Sequence, residues 1–120
     1  MAEDFKTYEY EDEWGRSYSI RFRTGRYENG RLYADCDCWD EEMGEWVAYA
    51  PITVNLWAPI DGDDYAYLDS NNSRHLCEWL VAQGLATLTA RTARSGFCVY
   101  AEARFSEEFL SSAMDMVWWR

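Results

Sequence analysis

The clearest structural signal in the chain lies at residues 17–39, which read SYSIRFRTGRYENGRLYADCDCW. Tyr18, Ile20 and Phe22 alternate with polar residues, and this period of two is typical of a strand with one buried face. Asn29-Gly30 follows, which is a strong signal for a tight turn between two strands. The stretch therefore predicts a β-hairpin whose second strand is Arg31–Trp39.

The second strand of this hairpin is predicted to have two different faces, because successive side chains of a strand point to opposite sides. One face holds the apolar set Leu32, Ala34, Cys36 and Cys38. The other face holds Tyr33, Asp35 and Asp37. We expect the apolar set to be buried. We expect the two aspartates to face solvent, about 6.6 Å apart.

Strand signals continue on both sides of the hairpin. The further strands are predicted at residues 5–10, 46–56, 65–68, 86–92 and 97–105. Pro51 falls inside one of them, and we expect a bulge or an edge position there because proline donates no ladder hydrogen bond. The last two strands are expected to be joined by a turn at residues 93–96.

Two helices are predicted in the second half of the chain. The first starts after Asn71-Asn72-Ser73, which are favourable N-caps, and ends at Gly84. The second starts after Ser106, with acidic residues in its first turn. Together these signals predict one α+β domain over residues 1–120, an antiparallel sheet of six or seven strands packed by one or two helices.

Charge is distributed unevenly along the chain. The formal net charge is −11, and residues 1–72 contain 17 of the 22 acidic residues but only 6 of the 11 basic ones. Such a field repels nucleic acids and anionic membranes and attracts basic surfaces. We therefore expect no direct binding to DNA, RNA or membranes. Since no stretch is apolar enough for a signal peptide or a membrane span, we expect a cytoplasmic protein.

No motif for catalysis, a metal or a cofactor stands out. Four cysteines and His75 supply enough ligand atoms for zinc, but their spacing is not that of zinc sites. Buried, reduced thiols are the favoured interpretation. We expect no enzymatic activity and no cofactor.

Three segments carry a resemblance to a known family: Thr53–Leu56, Tyr65–Asn72 and Arg91–Tyr100, with Gly25–Leu32 as a further match. They resemble a small bacterial family of unknown function carried on mobile elements of gut Firmicutes and Actinobacteria. The similarity covers residues 15–105 and assigns no chemistry to any residue. It implies a context in which small accessory proteins act against host defences, as anti-CRISPR or antirestriction proteins.

Acidic residues interleaved with aromatic rings are the candidate partner-binding site. The candidate residues are Tyr33, Asp35, Asp37, Trp39, Asp40, Glu41, Glu42 and Glu45, with Asp61, Asp63 and Asp64 as a second group. Carboxylates at strand pitch present the repeated anions of a nucleic-acid backbone, and the rings supply anchors that stack on arginine. The predicted function is non-enzymatic inhibition of a protein with a basic nucleic-acid groove, either a CRISPR effector or a restriction enzyme, by blocking its nucleic-acid binding.

An alternative function comes from a different class. The chain also fits an accessory scaffold or structural protein of a mobile element, whose acidity serves only solubility. The Trp118-Trp119 pair at the C-terminus is a candidate homodimer contact in this interpretation. Acidic residues concentrated on one face of the molecule favour the inhibitor, whereas acidic residues spread evenly over its surface favour the scaffold.

Overall fold

Two β-sheets, rather than the single sheet expected, form the frame of the molecule. The computed structural model describes residues 5–115. They contain the strands β1 Thr7–Glu11, β2 Ser17–Arg26, β3 Leu32–Asp40, β4 Glu45–Pro51, β5 Thr53–Val54, β6 Tyr65–Leu68, β7 Ala86–Ser95, β8 Cys98–Phe105 and β9 Met114–Asp115. The helices are α1 Ser70–Ala82 and α2 Glu107–Ser112. The α+β class is confirmed. The count of six or seven strands in one sheet is wrong, and the pair Trp118-Trp119 lies outside the described residues.

The first sheet is built on the predicted hairpin. Its strand order is β1-β2-β3-β4, with antiparallel neighbours throughout, and β9 adds to β2 in parallel. In the hairpin Ile20 lies opposite Cys38, and Arg26 lies opposite Leu32. Gly30 closes the turn with a φ of +86°, a conformation that favours glycine.

The second sheet has the order β5-β6-β8-β7 and is antiparallel. β7 and β8 form a long hairpin that turns tightly at Gly96-Phe97, where Gly96 has a φ of +63°. The turn expected at residues 93–96 is therefore displaced by two residues. Arg94 and Ser95 are still paired with β8, because glycine, and not the polar run before it, provides the left-handed conformation.

The division into two sheets falls just after Pro51. Pro51 is the last residue of β4, at the edge of the first sheet, which confirms the expected edge position, and the single strand expected at residues 46–56 breaks at Ile52, so that β4 and β5 belong to different sheets. Ile52 between them is fully buried. Its N–H donates to the Ala34 carbonyl at 3.0 Å, and its own carbonyl accepts from the Asp69 N–H at 2.8 Å. Ile52 thus links β3 of the first sheet to the start of α1.

The hydrophobic core draws on both sheets and both helices. Alternate residues of β2 and β3, among them Ile20, Phe22 and Ala34, are fully buried, as the pattern of residues 17–39 predicts. Leu80 of α1 and Phe109 of α2 complete the same cluster. Burial of apolar side chains stabilises folded domains by about 25 cal/mol per Å² removed from water, so this cluster is the main source of stability.

The helix boundaries agree closely with the sequence signals. The N-cap of α1 is Asp69, whose carboxylate accepts from the Asn72 N–H at 3.2 Å, so a short first turn precedes the predicted start. Ser73 then interrupts the helix with a φ of −139°, and the longer part of α1 begins after Ser73, as predicted. Gly84 follows the helix with a φ of +75°, as expected. The Ser106 hydroxyl accepts a hydrogen bond from the Phe109 N–H at 3.0 Å and thereby caps α2, which confirms that the second helix starts after Ser106.

Candidate functional site

Asp35 and Asp37, the centre of the predicted acidic surface, are ion-paired inside the first sheet. The register of β2 and β3 places Arg23 opposite Asp35 and Arg21 opposite Asp37. Arg23 donates to both carboxylate oxygens of Asp35, at 2.8 and 2.6 Å, and Arg21 donates to Asp37 at 3.0 Å. The two aspartates are only 9% and 4% exposed. The expectation that they face solvent is wrong, because the arginines of the neighbouring strand cover and neutralise them.

Aromatic rings enclose this ion-pair ladder. The Arg21 guanidinium lies 5.0 Å from the ring centre of Phe5 and 4.7 Å from that of Trp46. At the other end Tyr33 donates a hydrogen bond to Asp35. Burial, and then this bond to an anion, raises the pKa of Tyr33 to about 12. The ladder therefore serves as a packed, charge-balanced layer on the outer face of the first sheet.

The loop between β3 and β4 carries free carboxylates. Glu41, Glu42 and Glu45 are exposed. Asp40 is half-buried, and its side chain accepts from the N–H groups of Glu42 at 2.9 Å and Met43 at 3.1 Å. Asp40 shapes the loop, while the three glutamates are available to a partner.

The turn between β1 and β2 lies at the same end of the sheet, because the register brings the start of β2 beside the end of β3. Buried Asp12 accepts from the N–H groups of Trp14 and Arg16, both at 2.9 Å. Burial opposes ionisation of Asp12, but these two backbone hydrogen bonds outweigh it and lower its pKa. The ordered turn leaves the Trp14 side chain 73% exposed.

We call this region the acidic end. It consists of the exposed carboxylates of Glu9, Glu11, Glu13, Glu41, Glu42 and Glu45 and the exposed apolar side chains of Trp14, Trp39 and Met43. Arg16 is the only basic residue in residues 7–20 and 38–47. A cavity of about 540 Å³ opens here, with Tyr18, Trp39, Glu41 and Glu42 in its lining. The acidic end combines negative charge with large apolar contacts.

The first turn contributes residues that are absent from the predicted site. Glu11, Glu13 and Trp14 fall between the strands predicted at residues 5–10 and 17–39, and the sequence does contain a signal for their position. A four-stranded antiparallel meander places alternate turns at the same end of a sheet, so the first and third turns had to be neighbours. Of the predicted residues, Trp39, Asp40, Glu41, Glu42 and Glu45 do belong to this end.

The second predicted group, Asp61 to Asp64, lies elsewhere. Arg26, at the opposite end of β2 from the acidic end, donates to the Asp63 carbonyl at 2.8 Å. Asp61 pairs with Arg91 at 2.6 Å, and the hydrogen bond from Arg91 lowers the pKa of Asp61. Asp63 is exposed and Asp64 is half-buried. The structure therefore does not join this loop to the β3–β4 hairpin.

A buried carboxylate beside this loop was also missed. Glu102 on β8 is fully buried, accepting from the Thr89 hydroxyl at 2.5 Å and the Asp61 N–H at 2.9 Å. Thr89 belongs to a bulge in β7, where three residues lie opposite one and Ala90 has a φ of +77°, and Asp61 belongs to the loop before β6. The arrangement fastens the loop to the second sheet. Nothing in the local sequence indicates it beyond an acid inside a strand.

The cysteines do not form a shared cluster with acids or histidine. Within residues 5–115, no three His, Cys, Asp or Glu side chains are grouped so as to hold a metal ion. All four cysteines are free thiols; Cys36 and Cys77 are buried as expected, whereas Cys38 and Cys98 are only half-buried, which corrects the expectation for these two. Burial raises the pKa of Cys77 to about 12, and that of Cys36 also rises through burial. His75 is engaged with the Tyr10 hydroxyl at 2.7 Å.

Comparison with known proteins places the chain in a family. Residues 23–118 match the model of a family described as Domain of unknown function (DUF4313). The chain belongs to this family. No curated protein and no solved structure matches it. Neither helix in the described part of the chain is long and apolar enough to cross a membrane.

Proposed function

We propose that this member of the DUF4313 family is a non-enzymatic anti-defence protein of the anti-CRISPR or antirestriction type. It binds a nucleic-acid-handling effector through the acidic end and blocks the effector's nucleic-acid binding. The observation that carries the proposal is the concentration of six exposed carboxylates and three exposed apolar side chains at one end of the first sheet.

Charge gives the acidic end its complementarity to a nucleic-acid groove. Duplex DNA presents one negative charge per about 1.7 Å of its axis, and the proteins that bind it answer with lysines and arginines. The acidic end, with six exposed carboxylates and one arginine on two adjacent turns and their flanking strands, offers such a groove a cluster of anions. Since a groove occupied by these carboxylates repels phosphates, binding of the protein and of nucleic acid is mutually exclusive.

Apolar side chains give the contact its strength. Exposed charges at the rim of an interface mainly raise the association rate, whereas aromatic residues in desolvated pockets dominate the binding energy. Trp14 is 73% exposed and Met43 is 66% exposed, and exposed apolar side chains that are grouped and rimmed by polar residues mark interaction sites. In the proposed complex they are buried against the effector, with the glutamates around them.

The ion-pair ladder has a supporting role in this proposal. Asp35 and Asp37 are already neutralised by Arg23 and Arg21, so they do not contact the partner. Their pairs fix β2 against β3 and thereby hold the two turns of the acidic end side by side. This role replaces the direct contact predicted for them.

A second candidate function is the accessory scaffold of a mobile element. It is favoured by a separate set of exposed apolar side chains on the β7–β8 hairpin, above all Phe97. A scaffold would use this hairpin and would be indifferent to charges at the acidic end.

A pull-down from a bacterial host with active CRISPR and restriction systems tests the proposal. The bait is the wild-type chain, a Glu41→Lys/Glu42→Lys variant, or a matched Glu28→Lys/Glu107→Lys variant. Both variants change the net charge by the same four units, but Glu28 and Glu107 are exposed outside the acidic end. We expect wild type and the matched control to capture a nucleic-acid-handling effector at low salt and less of it at high salt. Equal capture by the Glu41→Lys/Glu42→Lys variant would contradict the proposal.

A further inference from the structure

The end of the β7–β8 hairpin projects from the second sheet as an arm, which we define as residues 92–101. β7 is the edge strand of its sheet. Phe97 at the tip is fully exposed, and Val99 is 51% exposed. β7 contains no proline and no acidic residue, and its bulge at residues 89–91 leaves residues 92–95 as the regular part of the unpaired edge.

A groove lies at the base of this arm, between α1 and the second sheet. Its volume is about 340 Å³, and its floor is formed by Leu68, Cys77, Val81, Leu88 and Ala101. Arg74 and Glu78 stand at its polar rim. Leu88 is 50% exposed, so part of this apolar floor is open to solvent. The molecule thus has an apolar knob at the tip of the arm and an apolar groove at its base.

We propose that the arm binds a second copy of this chain. Two arms pair through their β7 edges, antiparallel about a two-fold axis near Ala93, and each Phe97 enters the groove of the other copy. In this register Thr92–Arg94 of the two copies pair, and the turn that carries Phe97 lies beside the bulge at residues 89–91 of the other copy, next to Leu88 in the floor of its groove. In a two-fold arrangement the Phe97 of each copy occupies the groove of the other, so no knob or groove remains free and the assembly ends at a dimer.

Charge complementarity supports this choice of partner. Arg94 lies opposite Val99 on the arm, and no carboxylate within residues 5–115 forms an ion pair with it. In the two-fold register Arg94 faces Thr92 of the other copy rather than a second arginine. Glu78 at the groove rim is 69% exposed and is held only by Arg74 at 3.8 Å, a weak surface pair. As Phe97 enters the groove, Arg94 approaches the Glu78 rim of the other copy.

The exposed area predicts the strength of the dimer. A buried aromatic side chain removes about 150–250 Å² from water, and Leu88 and Val99 each add about half of an aliphatic side chain. Counted for both copies, these side chains bury less than the about 1,200 Å² that marks the lower limit of standard specific interfaces, so the contact belongs to the weak, transient class. We therefore expect a reversible dimer with a dissociation constant on the order of 10 μM.

Sedimentation velocity of the full chain between about 1 and 500 μM tests the proposal. We expect the weight-average mass to rise from monomer to dimer in this range. Phe97→Asp should raise the dissociation constant at least about tenfold without unfolding the protein, because a fully exposed side chain supports no core packing. The matched control is Trp57→Asp, since Trp57 is also fully exposed but lies outside the arm and the groove.

A charge exchange checks the predicted partner residues. Arg94→Glu should weaken the dimer, and Glu78→Arg in the same chain should restore it, because the pair is then re-formed with its signs reversed. The proposal is overturned if wild type stays monomeric at 500 μM, which would leave the groove to a different partner. It is also overturned if Trp57→Asp dissociates the dimer as strongly as Phe97→Asp, or if the double variant is weaker than Arg94→Glu alone. These results do not depend on whether the acidic end binds an effector.

Discussion

Replacing Asp37 by alanine is the most direct test of the ion-pair ladder. Asp37 pairs with Arg21 at 3.0 Å and with Arg23 at 3.6 Å, and the side chains of Asp37 and Arg21 are only 6% and 15% exposed. Removal of one partner from a buried ion pair costs about 3–5 kcal/mol, because the remaining charge stays desolvated. Arg23 keeps its two bonds to Asp35, so only Arg21 loses its main partner. We therefore expect a loss of about 3 kcal/mol, the lower end of that range.

Urea unfolding at pH 7, followed by circular dichroism, measures this loss. Small domains have unfolding free energies of about 5–15 kcal/mol, so the Asp37→Ala midpoint should fall clearly below that of wild type. Glu42→Ala is the control, because Glu42 is exposed and its loss should change stability by less than about 0.5 kcal/mol. If Asp37→Ala were as stable as this control, the ladder would contribute nothing to the fold. Asp37 would then be a free surface anion, as the sequence first indicated.

Three further predictions follow from buried or strained groups and from the overall charge. The buried thiols of Cys36 and Cys77 have a pKa above that of an unfolded cysteine, so the unfolded chain loses these protons first. The free energy of unfolding should therefore fall as the pH rises above about 8.5. This fall should be smaller in a Cys77→Ala variant, and urea unfolding at pH 7, 8.5 and 9.5 measures it. Ala90→Gly should stabilise the protein by about 0.5–1 kcal/mol, because Ala90 has a φ of +77°; a lower urea midpoint would show that the bulge is unstrained. Because the chain carries a net charge of −11, the purified protein at about 10 μM should not shift labelled DNA or RNA in a gel at 100 mM salt, and a salt-sensitive shift would disprove this.

Local signals in the sequence predicted most of the elements but not their arrangement. The alternation in residues 17–39 and the Asn29-Gly30 turn predicted β2 and β3 with their buried face, because hairpin pairing depends on neighbouring residues. The division into two sheets depends on Ile52, whose hydrogen bonds go to Ala34 and Asp69, distant in sequence. In the sequence, Pro51 indicates an irregularity in the strand predicted at residues 46–56. A break between two sheets and a bulge within one sheet both place a proline there, so the sequence does not distinguish them.

The candidate site shows the same limit. An aspartate on the outer face of a strand appears exposed when that strand is considered alone. Whether it is covered depends on the register with the next strand, and here Arg21 and Arg23 stand directly opposite Asp37 and Asp35. The alternation Arg21, Arg23 in β2 and Asp35, Asp37 in β3 was visible in the sequence, but a two-residue turn at Asn29-Gly30 would place Arg23 opposite Cys36. The structure has a three-residue turn between Tyr27 and Arg31, and this one-residue difference in register places the arginines opposite the aspartates. The loop glutamates have no opposite strand, and their exposure was therefore easier to predict.

In the proposed function the acidic end competes with nucleic acid for an effector, and a displacement titration measures this competition. The effector captured in the pull-down is bound to a fluorescently labelled DNA substrate, and the chain is added while the fluorescence anisotropy is recorded. We expect wild type and Glu28→Lys/Glu107→Lys to release the DNA at similar concentrations. Glu41→Lys/Glu42→Lys should need about tenfold more protein, since each surface charge contributes up to about 1 kcal/mol. An unchanged anisotropy with wild type bound to the effector, or equal displacement by both variants, would contradict the account.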